Sequence, residues 1–560
     1  MFDLSGQRKE IIDADGHLLV MGGPGSGKTT IALLKAKQII ESGILRNEQR
    51  VLFLSFARVT IACVKQQAKS VLGDFDTSKI ENTTYHSFIW TILKSHGYLL
   101  PPHCSFQLLL PYEASSVLSG FANDAERNQE KHRLLSEDGR LHFDLFAETC
   151  AELLSRSQSL RRLFSIAYPI IFLDEFQDTD TEQWRLIQLL GKSSTLIALA
   201  DLEQRIYGFR GASPKRVSDF QDVFHPSTFD FGIENNRSNG TDIVAFGNDL
   251  LHGANIGKKY NNVCISHVES WKIKQFLKNK IYQHVAKLNQ ECNEWSLAVL
   301  VPSNSFMLTV SEYFSKEKIP HDVAVDTERP TVAAMVLAGL LDFASRGDCS
   351  QKLVVESLRE HILGRNREGK ALSKKDSELA QKLSDFLILG TKTREKRLLG
   401  ECEQVSIDCN ALQLTGDVAT DWKQVRSTLK DKTHNALVNL LKDAMFIKLL
   451  RKGSALNSAL GELWRKHGNY IGASEAVKNA LTQEYFATSA KTWQGVNVMT
   501  IHKSKGKEFD VVIACEDRYA GRFISRNGED EARLVLRVAA TRAKKHVDII
   551  TPRDDPCLLL

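Results

Sequence analysis

Residues Gly22-Gly23-Pro24-Gly25-Ser26-Gly27-Lys28-Thr29 follow the apolar run Leu18–Met21 and open the helical pattern Thr30–Ile40. They fit G-x-x-x-x-G-K-[ST], in which glycines let successive backbone N–H groups curl around phosphate oxygens. The helix that follows adds its N-terminal dipole to the same anion. In this pattern Lys28 neutralises phosphate charge and the Thr29 hydroxyl suits a magnesium ion, with Thr30 next in line. Strand before and helix after set the stretch apart from an ordinary glycine-rich turn. A nucleotide-phosphate site is expected here.

The same rhythm runs outward. A second apolar run, Val51–Phe56, and a further stretch from Tyr168 that holds Ile170–Leu173 and Leu196–Ala200 alternate with helical patterns. Such alternation predicts βαβ units around a parallel sheet. Ile170–Leu173 ends in Asp174-Glu175-Phe176-Gln177-Asp178. A carboxylate at the C-terminal edge of a strand, beside a phosphate loop, is where a magnesium ligand belongs. Asp174 is expected in that role, and Glu175 as the group that polarises the attacking water. Between the two stretches, residues 90–165 read mostly helical, broken at Pro101-Pro102. Strand signals return at Trp295–Val301 and His321–Val325, residues 331–488 are helix-rich, and strand and helix alternate again from Val496. The parallel-sheet material is thus interrupted twice.

Composition narrows the class without naming a function. With 560 residues the prior is three or four domains. The balance of 73 basic against 68 acidic residues, a net +5, excludes a histone-like polycation. The N-terminus lacks an apolar core and no apolar stretch approaches membrane-spanning length, so neither a secretory signal nor a membrane span is expected. The ten cysteines form no CxxC pair, and Cys402 and Cys409 lack partners at zinc spacing. Free thiols in a reducing cytosol, without a structural zinc or iron–sulfur site, are the reading. Cys557-Leu558-Leu559-Leu560 formally matches a prenylation box, but no polybasic run precedes it, and an apolar tail packed on the last domain is expected. Residues 351–400 carry 12 Lys/Arg against 7 Asp/Glu, which reads either as a duplex-DNA or partner surface or as solvated helix faces.

Taken with the phosphate loop, the DExQD form at Asp174–Asp178 resembles superfamily 1 DNA helicases of the UvrD/Rep/PcrA type, and the likeness continues in order. Leu4-Ser5-Gly6-Gln7 is similar to that family's Q motif, whose glutamine reads the adenine edge. Leu54-Ser55-Phe56 resembles the strand whose aromatic residue touches a DNA base, and Thr84-Tyr85-His86-Ser87-Phe88 is close to TFHSF. The segment Asp201–Ala212 follows GDxxQxIYxFRGA; the resemblance makes Gln204 a γ-phosphate sensor, and Tyr207 and Phe209 base-stacking rings beside Arg210. Asn235-Asn236-Arg237-Ser238 is similar to NYRS, whose arginine reaches the γ-phosphate. Thr500–Phe509 resembles T-x-H-x-x-K-G-x-E-F, and Val538–Lys544 resembles VAxTRAK, whose arginine, here Arg542, closes on the nucleotide. Departures are Asn236 for an adenine-stacking tyrosine, Ala200 for the glycine before Asp201, Lys507 for an apolar residue, and Ala57-Arg58 for Asn-Lys.

The resemblance implies an α/β fold of two RecA-like P-loop NTPase motor domains with parallel sheets, each interrupted by a mostly helical insertion. Residues 1–90 and 166–225 would form the first motor domain and 91–165 its insertion. Residues 226–330 and 489–560 would form the second, with 331–488 inserted. It implies ATP and Mg²⁺ as cofactors. Lys28, Asp174, Glu175, Gln204, Arg237 and Arg542 would carry hydrolysis, with Thr29 and Asp174 on the metal and Gln7 and Glu508 on the nucleotide. Phe56, Tyr85, His86, Tyr207, Phe209, Arg210, Thr500, His502 and Lys503 would meet DNA. The implied activity is a cytoplasmic, ATP-dependent translocase or helicase moving 3′ to 5′ on single-stranded DNA and at single-strand/duplex junctions. Two other readings stay open. One is an ATP-gated DNA sensor controlling a separate nuclease subunit, as in phage-defence pairs such as Gabija; the other is an RNA helicase.

Overall fold

The computed structural model describes residues 6–23, 25–55, 77–100, 105–121, 123–201, 215–232, 240–291, 294–323, 328–365, 372–390, 395–445, 455–486, 493–524 and 528–560. Contacts divide the chain into two compact units. The first comprises residues 1–92, 147–325 and 488–560, and the second residues 93–146 and 326–487.

In the first unit, strands β1 (Leu18–Met21), β2 (Val51–Ser55) and β3 (Ile80–Thr84) come before the short inserted pair β4 (Gln107–Leu108) and β5 (Arg140–Leu141). They are followed by β6 (Ile170–Leu173), β7 (Thr195–Ala200) and β8 (Ser227–Asp230). Six of these form one sheet, in the order β3-β2-β6-β7-β1-β8, parallel throughout. Its central strands are unbroken apolar runs because helices cover both faces. Phe53 and Phe172, register partners on β2 and β6, stack with centroids 4.3 Å apart. Each such buried aromatic or aliphatic side chain contributes about 1.5–3 kcal/mol. The edge strands are polar: β3 reads Ile-Glu-Asn-Thr-Thr and β8 Ser-Thr-Phe-Asp.

The second sheet is built from β9 (Val263–Val268), β10 (Ser296–Val301), β11 (Asp322–Val323), β12 (Gly495–Thr500), β13 (Phe509–Cys515) and β14 (Ala543–Pro552). Its order is β11-β12-β10-β13-β14-β9, again all parallel. Alternate residues serve opposite faces. Ala298, Leu300, Val512, Val547 and Ile549 pack one way, with helices Ile243–His252 and Glu529–Ala540. Leu297, Val299, Val511, Ile513 and Ile550 pack the other way, with helices Ile273–Glu291 and Asn304–Lys316. The C-terminal Cys557 and Leu559 are buried in the first of these cores, and Asn255 Nδ2 donates to the Leu559 carbonyl at 2.8 Å. The apolar tail therefore packs on the domain, and burial pushes the Cys557 thiol up to about 11.

Among the described residues the second unit is helical apart from the β4–β5 pair. Residues 93–146 and 326–487, separate in sequence, share it. Lys478 Nζ donates to Glu113 Oε1 at 2.7 Å, and a Cβ on Gly364 would lie 3.2 Å from the Tyr112 carbonyl oxygen. Two segments far apart in sequence thus pack together. Residues 147–165, expected in the first insertion, cluster instead with the sheets. At the heart of this unit, Asp421 is fully buried and accepts from the Thr415 and Gly416 N–H groups and from Tyr470 Oη.

Candidate active site

The phosphate loop owes its shape to glycines. Gly25 (φ 78°) and Gly27 (φ 94°) lie in the left-handed region that side chains disfavour. A Cβ on Gly22 would sit 2.8 Å from Ser26 Oγ and 3.0 Å from Phe231 Cβ, filling the cradle. The loop is tied to neighbouring strand ends: Gly22 N–H donates to the Ala200 carbonyl and Gly23 N–H to that of Gly232, at 3.3 and 3.1 Å. Helix Lys28–Glu41 starts at Lys28, whose ammonium donates to the Gly22 and Gly23 carbonyls at 2.6 and 3.0 Å. Its Nζ also lies 4.0 Å from Asp201 Oδ2. Thr29 and Thr30 are half-buried in the first helical turn.

Opposite stands the end of β6. Asp174 N–H donates to the Leu54 carbonyl at 2.8 Å, and the buried carboxylate accepts from Ser55 Oγ at 3.4 Å. Burial and the adjacent Glu175 charge push Asp174 up to about 7, against the pull of Lys28. Glu175 takes a left-handed φ of 52°, unusual for a side chain with a Cβ and the sort of strain that gathers at functional sites. Burial pushes its carboxyl up too, but Lys505, Lys28, the Gln177 amide and Arg542 outweigh it and hold it below the ordinary carboxylate value. The two neighbours are therefore driven apart, one towards neutrality and one towards charge. Such a split assigns different roles to two carboxyls.

Gln177 is fully buried and bridges the site. Its Nε2 donates to Glu175 Oε2 at 2.6 Å and its Oε1 accepts from the Asp201 N–H at 3.0 Å. From the second sheet, Lys505 Nζ reaches Asp178 Oδ2 at 2.5 Å and Glu175 Oε2 at 3.8 Å. Arg542 is buried, donates through Nε to the Val538 carbonyl at 3.2 Å, and adds its charge to the field at Glu175. Lys505, Gln177 and Asp178 were not among the expected functional side chains. The second lysine of the Thr500–Phe509 segment was the signal that could have pointed to Lys505.

The other expected residues fall as follows. Gln7, exposed at the start of helix Gln7–Asp13, pairs through its amide with the main chain of Asp230, both contacts 3.2 Å. Glu508 lies 3.5 Å from Lys544. Thr84 Oγ1 caps helix Tyr85–His96 by accepting from the Ser87 N–H at 3.1 Å. Tyr85 was expected to meet DNA, but its side chain is 1% exposed, and burial and the Asp174 charge raise its phenol well above the ordinary value. Burial thus places its phenol in the field of Asp174. His86, His502 and Lys503 are half-buried, and Thr500 is buried at the end of β12. Lys507 is also buried, its ammonium on the Lys503 carbonyl and 5.0 Å from the Trp493 ring. Pro24, Phe56, Arg58, Gln204, Tyr207, Phe209, Arg210, Asn236 and Arg237 lie outside the described residues.

A strained glycine loop at a helix N-terminus, facing a strand-end carboxylate pair, defines a P-loop nucleotide hydrolase, and two parallel six-stranded sheets make it one with two RecA-like motor domains. The donor set fits magnesium and a nucleotide: Thr29 and Asp174 offer hard oxygen ligands, and the loop offers N–H groups. The sequence matches the UvrD/REP helicase N-terminal domain over residues 4–137 and 121–225, and the UvrD-like helicase C-terminal domain over residues 353–553. The chain belongs to the UvrD/REP helicase family. It is similar to the ATP-dependent DNA helicase PcrA of Staphylococcus aureus (strain Mu50), 21% identical with 96% of this chain and 82% of that one covered. The PcrA of Staphylococcus epidermidis (strain RP62A) is 20% identical, covering 97% and 82%. The solved Pif1 helicase of Candida albicans aligns with 50% of this chain and 55% of its own at 12% identity, with a TM-score of 0.26, too low to show a shared fold. Among the described residues no helix is long and apolar enough to cross a membrane.

Proposed function

We propose that this chain is an ATP-driven DNA translocase or helicase moving 3′ to 5′ on single-stranded DNA and acting at junctions with duplex. One observation carries the reading. The buried carboxylates at the end of β6 are faced by Lys28 from the first sheet and by Lys505 and Arg542 from the second. Phosphoryl transfer needs positioned cations around the transferred group, and a site completed by two sheets couples their approach to hydrolysis.

Lys28 would exchange its loop carbonyls for phosphate oxygens, and Thr29 and Asp174 would hold magnesium. Magnesium held there would supply neutralisation of phosphate charge. Glu175, kept ionised, takes the proton of the attacking water, and Gln177 fixes its orientation. Arg542 and Arg237 stabilise the charge that develops, with Gln204 reporting the γ-phosphate. Gln7 and Glu508 border the nucleotide. Phe56, Tyr207 and Phe209 stack bases without reading sequence, at about 1–3 kcal/mol per base, while His86, Arg210, Thr500, His502 and Lys503 meet the strand.

The test is ATP turnover with no nucleic acid, single-stranded DNA, duplex and RNA, beside a Lys28→Ala control, together with displacement of strands carrying 3′ or 5′ tails. Stimulation by single-stranded DNA and displacement from 3′ tails alone are expected. Turnover without translocation would instead indicate an ATP-gated sensor. Preferential stimulation by RNA would sink the DNA assignment.

A further inference from the structure

Away from the nucleotide cleft, the second sheet carries a cluster that hydrolysis does not use. His546 and Asp548 stand two apart on β14 and so share a face. Val547 and Ile549 turn to the opposite core. Helix Ile273–Glu291 covers the His546 and Asp548 side, burying Leu277 and Ile281 there, and presents Lys280 and His284 one turn apart. Cys264, the register partner of Asp548 on β9, lies on the same side.

The side chains meet. His284 Nε2 lies 2.5 Å and His546 Nε2 3.5 Å from Asp548 Oδ2, and the two imidazole rings are 5.0 Å apart. Lys280 Nζ donates to the other carboxylate oxygen, Oδ1, at 2.7 Å and lies 4.0 Å from Cys264 Sγ. The Asp548 side chain is fully buried, while His284 and His546 remain 14% and 29% exposed, which leaves an approach from solvent.

We propose that His284, His546 and Asp548 form a binding site for a divalent transition-metal ion, zinc first among them. Three ligand atoms within 4.8 Å of one another can close on a single ion. Neighbouring ligands on a tetrahedral zinc stand about 3.3 Å apart. The His546–Asp548 pair is already near that distance; His284 has to move off Asp548 by less than about 1 Å, while the two imidazole nitrogens, within 4.8 Å of each other, close to the same spacing. Lys280 neutralises Oδ1 and leaves Oδ2 for the metal. Two imidazoles and one carboxylate suit zinc, whereas magnesium and calcium take oxygen ligands. The ion binds the neutral imidazoles, so binding releases protons. Bound there, it fastens helix Ile273–Glu291 to β14, the strand that begins directly after Arg542. Cysteine spacing predicted no zinc site, and this one uses no cysteine pair; its histidines lie on elements that only the fold brings together.

The experiment uses the full chain, stripped with chelator and free of nucleotide, titrated with Zn²⁺ calorimetrically and with Co²⁺ in visible absorption. One tightly held zinc per chain, a tetrahedral cobalt spectrum and a raised thermal midpoint are expected. His546→Ala and His284→Gln should each weaken zinc binding by at least about 100-fold, with circular dichroism and nucleotide binding unchanged as evidence of folding. Absence of zinc binding by the unmodified chain overturns the proposal. So does zinc binding that both variants leave intact, which would place the ion among other histidines.

Discussion

Lys505 donates to Asp178 Oδ2 at 2.5 Å and so joins the two sheets across 327 residues of chain. Both side chains are nearly inaccessible, at 5% and 1% exposure. A buried pair of this kind adds little net stability over an apolar substitute, yet breaking it by removing one partner costs about 3–5 kcal/mol. Lys505→Met should therefore lower the thermal midpoint sharply and, because Lys505 also helps hold Glu175 ionised, cut ATP turnover at least tenfold. Adding Asp178→Asn removes the stranded carboxyl, which burial pushes up to about 7 even with Lys505 in place. The double variant should regain most of the lost stability without regaining turnover. Equal instability of single and double variants would mean that the pair is not what joins the sheets.

Glu175→Gln separates binding from chemistry. Glutamine matches the shape of glutamate, and its side-chain oxygen can still accept the 2.6 Å bond from Gln177. It cannot take a proton from water. Steady-state turnover should fall about 10²–10⁴-fold, the range for losing a positioned general base. Nucleotide and DNA affinities, read by fluorescence titration, should hold. Full DNA-stimulated turnover would remove Glu175 from the mechanism.

The sequence made some parts of this molecule plain and hid others for physical reasons. Leu18–Met21, Ile170–Leu173 and Leu196–Ala200 are central strands buried on both faces, so they appear as apolar runs. Ile80–Thr84 and Ser227–Asp230 are edge strands, half-solvated and polar, and leave no such trace. The phosphate loop and Asp174–Asp178 are local patterns and could be read in place. Lys505 on Asp178, Gln177 between Glu175 and Asp201, and the meeting of His284 with Asp548 depend on which elements become neighbours. Spacing along the chain carries no record of that. Tyr85 is a further case: it sits in a segment that resembles a DNA-contact motif, and its burial in the field of Asp174 could not be read from spacing.

The helical unit has its own critical carboxylate. Asp421 accepts from Thr415 N–H and Oγ1 at 2.8 and 2.9 Å, from Gly416 N–H at 2.7 Å and from Tyr470 Oη at 2.8 Å. Asp421→Ala strands all of these donors and should cost on the order of 3–5 kcal/mol. Tyr470→Phe removes one bond and should cost about 1 kcal/mol. Hydrogen exchange should show protection lost first around residues 412–422 and 468–473 in the alanine variant. Equal protection in all three proteins would show that the network carries no stability.

The Asp174 carboxyl gives the active site a pH signature whose sign follows from linkage. Its folded-state value, pushed by burial and Glu175 to about 7, lies above the ordinary carboxylate value of 3.8. The folded chain therefore binds a proton that the unfolded chain releases between those values, and stability falls as pH rises through that window. Well above pH 7 the penalty is complete, on the order of 4 kcal/mol. Asp174→Asn removes the titration. Between pH 5 and pH 8 the unmodified chain should lose thermal stability that the asparagine variant keeps, so the variant gains most at pH 8. Magnesium and nucleotide should narrow that gap at pH 8, because Asp174 would then face a cation instead of a buried void of charge. A variant no more stable than the parent at pH 8, or a gap that magnesium and nucleotide widen, would mean that Asp174 is not the strained ligand.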